Sequence, residues 1–181
     1  MNAKSLLDAE KTHLAQLLEA IQRCVYFLHA AGLRIDWPLE GSSLQARKKE
    51  TMLFDALAAF NERFAKLQDT LGAAMRHAAV LLGESTESFL KVLAYYEKVA
   101  VLDSIETWQA LRTVRNLAAH RYEIDYVAIA EHFNTLHTMC PNLYRTAGLF
   151  VDHCEKKLAI VPVTGDFALE FREITVVCVD A

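Results

Sequence analysis

The chain has 181 residues, 53 % of them apolar, and a formal net charge of −4. That length is enough for a full hydrophobic core, and the composition excludes a disordered polymer. The acidic balance excludes a generic nucleic-acid coat, whose footprint is basic, while leaving room for an enzyme that touches a few phosphates in a local basic cleft.

No apolar run approaches the roughly 20 residues of a membrane span. Met1-Asn2-Ala3-Lys4 leads straight into amphipathic sequence, without the apolar core of a signal peptide. These features predict a cytoplasmic protein with no membrane partner. Cys24, Cys140, Cys154 and Cys178 form no Cys-x-x-Cys pair and no zinc-like spacing, so they read as reduced core thiols.

In chain order, Leu14, Leu17, Leu18, Ile21, Val25 and Leu28 fall on one helical face, and Gly32 can end that helix. Residues 34–41, with Pro38, read as a connector. Ser42 with Gln45 resembles a capping box, predicting a helix over 42–71 about 45 Å long. Its stripe is Leu53, Leu57, Phe60, Phe64, Leu67 and Leu71, with Gly72 and Gly83 marking where it bends or stops. A third helix is expected over 88–99, from Phe89, Leu93 and Tyr96. Asp103 with Glu106 forms a further capping box ahead of Trp108, Leu111 and Val114. A fifth helix starts near Asp125, is interrupted at Pro141, and continues through Leu143, Ala147, Phe150, Val151 and Cys154 to about residue 157.

The last stretch differs. It is rich in valine, carries a Thr164-Gly165-Asp166 turn, and alternates Phe167, Leu169 and Phe171. It predicts a β-hairpin or an arm docked on a neighbouring subunit. The expected architecture is therefore an all-α helical bundle over residues 1–157, with a short β-prone extension over 158–181.

The fourth helix runs into Arg115-Asn116-Leu117-Ala118-Ala119-His120-Arg121-Tyr122. Arginine is always protonated and donates bidentately to phosphate. Histidine moves protons near neutral pH. Together they supply what RNA cleavage without a metal requires: a base for the ribose 2′-hydroxyl and a cation for the crowded phosphorus. Arg112, Asn116 and His120 recur every four residues on one face, whereas Arg115 points about 140° from His120 at roughly 100° per residue. Either the helix ends between them, or the arginine curls round, or each completes a site with a second copy. A simpler reading is a helix end, with basic residues complementing the macrodipole. Arg121 beside His120 disfavours the imidazolium, which suits a general base. Tyr122 could stack on an unpaired base or serve as a core or interface tyrosine.

The order Arg115-Asn116, then His120 and Tyr122, resembles the Arg-Asn-x-x-x-His-x-Tyr signature of HEPN domains, in particular the HepT toxins of HEPN/MNT toxin–antitoxin systems. Residues 108–114 precede it as an amphipathic helix, and residues 60–72 resemble the long second helix of a HepT-like subgroup. The resemblance covers residues 53–157. It implies a homodimeric, up-and-down helical bundle and a metal-independent endoribonuclease with no cofactor. Arg115 would stabilise the scissile phosphate, His120 would act as general acid or base, and Asn116 would orient His120 or the substrate. Arg112 and Arg121 are assigned to RNA binding. Tyr122 matches the tyrosine to which a partner nucleotidyltransferase antitoxin attaches AMP. The alternative is a non-catalytic HEPN-like protein that binds a nucleotidyltransferase partner or a nucleotide. A plain helical interaction protein is the third.

His132 and His137 lie five apart on a predicted helix, off metal-ligand spacing. His153-Cys154 lacks a zinc partner, and His13, His29 and His77 are isolated. Asp69 interrupts an apolar stripe and needs a partner: Arg115 or His120 within the site, or Arg63 or Lys66 at the surface.

Overall fold

A computed structural model describes residues 3–118 and 125–176, with the side chains of residues 3 and 116–118 left aside. Among the described residues there are seven helices and no strand: α1 (Ala3–Gly32), α2 (Gly41–Ala46), α3 (Thr51–Leu81), α4 (Phe89–Lys98), α5 (Ile105–Ala118), α6 (Tyr126–Leu158) and α7 (Ala168–Val176). The chain is an all-α helical bundle, and none of these helices is long and apolar enough to cross a membrane.

The apolar stripes build the core. Leu14, Leu18, Ile21, Val25 and Leu28 of α1 are fully buried, as are Phe64, Leu67 and Leu71 of α3 and Leu143, Ala147, Phe150 and Cys154 of α6. α1 and α3 run antiparallel. Gly32 lies against Phe60 at one end, and the Glu10 carbonyl meets His77 Nε2 at 2.9 Å at the other. Cys24, Cys140 and Cys154 are buried as expected, and Cys178 lies outside the described residues. Burial raises the Cys154 thiol to about 12.

The helix expected over 42–71 is broken. α2 stops at Ala46 and α3 begins at Thr51. Positions 45–52 hold no buried residue, so no apolar face keeps a helix there. Arg47 instead clasps Glu50 with both ends of its fork, Nε to Oε2 at 2.7 Å and Nη2 to Oε1 at 2.8 Å. The Ser42 capping box is absent, since Glu40 is the N-cap and makes no side-chain cap bond. α3 passes through Gly72 without stopping, ends at Leu81 and turns away at Gly83, whose φ is +75°. There Gly83 N donates to Val80 O and Glu84 N to Ala79 O, a Schellman closure that satisfies two terminal carbonyls.

Ser88 caps α4 by accepting from Lys91 N. At α5 the cap is Ser104, whose Oγ accepts from Thr107 N at 3.0 Å. Asp103, expected in that role, pairs with Arg145 instead. Asp125 caps α6 through Val127 N and Ala128 N. α6 runs through Pro141 without interruption; the proline removes one donor, but buried residues on both sides, Cys140 and Leu143, keep the helix on the core.

The C-terminal extension is the clearest departure from expectation: residues 168–176 are helical, not a strand. Phe171 and Thr175 are buried while Leu169 is 75 % exposed. The deciding spacing is therefore i, i+4, and the alternation of residues 167, 169 and 171 is incidental. α7 docks where Gly148 leaves room for Thr175; a Cβ at 148 would lie 3.0 Å from Thr175 Cβ. Phe167 packs on Tyr26 and Phe27 of α1, and Thr164 N donates to Glu19 Oε2 at 2.7 Å. The extension thus packs on its own bundle.

Two of the α6 histidines, His137 and His153, are packing residues. His137 stacks on Trp37 with ring centroids 4.2 Å apart, and His153 Nε2 lies 3.1 Å from the Tyr95 hydroxyl. Burial lowers both below their ordinary value of 6.5, and Lys157 and Lys156 add to the effect at His153. In the unfolded chain both titrate near 6.5, so below that pH the unfolded state binds more protons. Stability should be flat above about pH 6.5 and fall as the pH drops through 6.5 towards the folded values. Urea unfolding at pH 7.5 and 5.5 should show this fall, and His153→Gln should reduce it; an unchanged fall would remove His153 from the account.

Candidate functional site

Two helical faces converge on one open groove. From α3 come Asp69, Gly72, Ala73 and Arg76, spaced i, i+3, i+4 and i+7, with Gln68 beside them. From α5 come Trp108, Arg112 and Arg115, spaced i, i+4 and i+7. Phe89 of α4 closes one side. The cavity volume is about 290 Å³.

Each wall has a local cause. Phe89 and Trp108 pack over Gly72: a Cβ there would sit 3.4 Å from Phe89 Cζ and 3.7 Å from Trp108 Cζ2, in ordinary contact. α5 is fixed at its start by the Ser104 cap and by Ile105 N donating to Glu97 Oε1 at 2.9 Å. Trp108 and Leu111 then bury the inner face of α5, at 3 % and 2 % exposure. That burial turns Arg112 and Arg115 towards the groove rim. Gln68 Nε2 donates to the Trp108 carbonyl at 3.4 Å, a long bond that ties α3 to α5.

Charge in the groove is one-sided. Arg76, Arg112 and Arg115 face a single carboxylate, Asp69, among the lining residues. Arg115 Nη1 donates to Asp69 Oδ1. The pair holds the guanidinium over the groove and leaves its other N–H donors for a second acceptor. Arg76 lies over the Phe89 ring at 5.4 Å from its centroid, a cation–π contact that fixes a second guanidinium. The result is a local basic cleft in an acidic chain, with aromatic rings at its base. Such a cleft suits a phosphate joined to a planar ring.

Of the sequence-predicted site residues, Arg115 and Arg112 line this groove. Asp69 takes the Arg115 pairing rather than the surface alternatives. Asn116 lies in the last turn of α5, but its side chain is outside the described residues, as are His120, Arg121 and Tyr122 altogether. Gln68, Arg76 and Phe89 were not foreseen in the site. The signal that marks Arg76 is its i+7 relation to Asp69, on a face of α3 that Gly72 and Ala73 leave low. Among the described residues no cluster of three or more His, Cys, Asp or Glu side chains is arranged to hold a metal ion.

The Asp69 and Arg115 side chains are 59 % and 27 % exposed, so solvent screens their attraction. Asp69→Ala should therefore cost less than about 1 kcal/mol in chemical denaturation. A loss of about 3 kcal/mol, the scale of a broken buried pair, would mark the pair as structural. No protein-family model, curated protein or solved structure matches the chain, so the chemistry of the groove and of the segment that follows it carries the functional reading.

Proposed function

We propose that the chain is a HEPN-like, metal-independent endoribonuclease, with Arg115 holding the scissile phosphate and His120 moving the proton. The observation that carries this reading is the groove itself. Arg115 is held by Asp69 beside two further arginines and an aromatic base, in the helix that leads into Asn116 and His120.

The chemistry follows from those groups. His120 takes the ribose 2′-hydroxyl proton, and the 2′-oxygen attacks the adjacent phosphorus. The phosphorus–5′-oxygen bond breaks, and the leaving oxygen receives a proton from solvent water. The products are a 2′,3′-cyclic phosphate and a 5′-hydroxyl. Charge grows on the phosphate oxygens during attack, and a fixed guanidinium lowers that barrier more than it lowers the ground state. Asn116 orients His120 or the substrate, and Arg112 and Arg121 hold the flanking backbone. Chain-wide charge of −4 favours recognition through this local cleft over sequence-independent coating.

The same reading makes the protein the toxin half of a toxin–antitoxin pair, acting as a homodimer. Its antitoxin would be a nucleotidyltransferase that attaches AMP to Tyr122. The attached phosphate would compete with RNA for Arg115. A second reading, a non-catalytic HEPN-like protein that binds a nucleotidyltransferase partner or a nucleotide, is favoured by the groove's size. About 290 Å³ is close to the roughly 300 Å³ lower end of small-molecule sites.

Incubation of the purified protein with tRNA, mRNA and total RNA in excess EDTA separates the two. The nuclease reading expects cleavage with 2′,3′-cyclic phosphate ends, and losses of about 100-fold or more in Arg115→Ala and His120→Ala, the scale of general acid–base and electrostatic contributions. Absence of cleavage by protein shown by intact mass to carry no AMP, with Arg115→Ala weakening nucleotide binding, would favour the binding module.

A further inference from the structure

Of the three arginines that line the groove, the proposed reaction uses Arg115 and Arg112 and leaves Arg76 without a task. Arg76 is exposed on α3, with its guanidinium over the Phe89 ring. Among the described residues its side chain makes no hydrogen bond or ion pair. A cation–π seat uses the face of the guanidinium, so the N–H donors around its edge stay available to an anion.

Spacing says what kind of anion reaches both ends of the groove. Arg76 stands at i+7 from Asp69 on α3, roughly 10 Å further along the helix axis. Asp69 is where the Arg115 guanidinium is clasped. Between these positions Gly72 and Ala73 line the groove, and neither carries a side chain longer than a methyl group, so α3 raises no barrier along the path. A lone phosphate on Arg115 does not extend to Arg76. A stacked strand carries a phosphate at roughly 3.4 Å intervals, so about three steps of its backbone cover that length.

We propose that Arg76 forms a second phosphate subsite, so that the groove takes a single RNA strand lengthwise. The backbone runs along α3 from the phosphate on Arg115 to one about three nucleotides away on Arg76. The identity of the strand rests on the ribonuclease reading, and the subsite is tested by binding, apart from cleavage. Counterion release makes the contacts countable, because each neutralised phosphate of a single strand adds about 0.7 to the steepness of log affinity against log salt.

The probes are a dinucleotide, with one phosphate, and a pentanucleotide, with four, both of 2′-O-methyl RNA, which has no 2′-hydroxyl to attack. Each is titrated calorimetrically into the full chain across a salt series. The slope should be about −0.7 for the dinucleotide and about −2 for the pentanucleotide, which reaches all three arginines. Arg76→Gln removes the charge and should weaken the pentanucleotide about tenfold, the scale of one hydrogen bond to a charged group. It should also make the pentanucleotide slope shallower by about 0.7, whereas Arg76→Lys keeps the charge and should keep the slope. Arg172→Ala, at an exposed position on α7 outside the groove, should change neither. Thermal melting checks folding; should Arg76→Gln not fold, the wild-type slopes of the two probes decide alone. Equal slopes for the two probes, an unchanged slope in Arg76→Gln, or an equal loss in Arg172→Ala would each overturn the subsite. So would Arg76→Lys behaving as Arg76→Gln does, which would mark the contact with Phe89 as packing alone. A steep pentanucleotide slope without RNA cleavage would uphold the subsite and sink the nuclease. Cleavage in EDTA with equal slopes would do the reverse.

Discussion

Trp108 lies against α3 at the one place where that helix has no side chain, and the position of α5 follows from this contact. Gly72 leaves Phe89 and Trp108 within ordinary van der Waals reach of where a Cβ would be. An alanine methyl at 72 would make ordinary contact with both rings, and a residue longer than alanine would push them outward, and α4 and α5 with them. Arg112 and Arg115 stand one and two turns beyond Trp108, so their distance from Asp69 and Arg76 is set by the same contact. The groove is thus a by-product of close helix packing, and the ion pair across it sits where packing has already brought the helices together.

That order of causes explains how three arginines can share a small space. Each is held by something other than a ligand or lies open to water. Asp69 takes one N–H of Arg115, Phe89 supports Arg76 through its ring face, and Arg112 is exposed. Repulsion among the three is eased by solvent in an open groove, and one carboxylate offsets part of it. An incoming phosphate would meet two cations already held, Arg115 and Arg76, so less of its binding energy would go into ordering side chains. The rest of the molecule supports this arrangement. α3 buries its other face against α1 and α6, and the C-terminal end of α3 and the N-terminal end of α5 are closed by backbone and side-chain bonds at Gly83 and Ser104.

The sequence disclosed much of this where one physical signal dominated. Apolar stripes at spacing three and four located α1, α3, α4, α5 and α6, because burial of a stripe is what makes those helices stable. The sequence misled where two signals competed. Residues 42–50 carry a capping pattern, yet the absence of any buried residue over 45–52 decided against a continuous helix. Residues 167–171 alternate, yet Phe171 and Thr175 had a groove on α1 and α6 to fill, and the helix that fills it won. The candidate site was half visible. Arg115 and Arg112 stood out by residue type, and Asp69 by its place in an apolar stripe. Arg76 and Gln68 did not, because nothing local says that α4 and α5 will pack on that face of α3. Gly72 looked like a bend, when it lies inside α3 beneath two aromatic rings.

The most direct measurement of the central claim is where RNA sits. A 2′-O-methyl RNA cannot be cut by 2′-hydroxyl attack, so its complex with the protein persists. Ultraviolet crosslinking of that complex, followed by peptide mass mapping, should place the crosslinks on Phe89, Trp108 and the peptide that carries residues 115–122. Crosslinks confined to peptides of α1, α6 or α7, with the Arg115 peptide unmodified, would contradict the account.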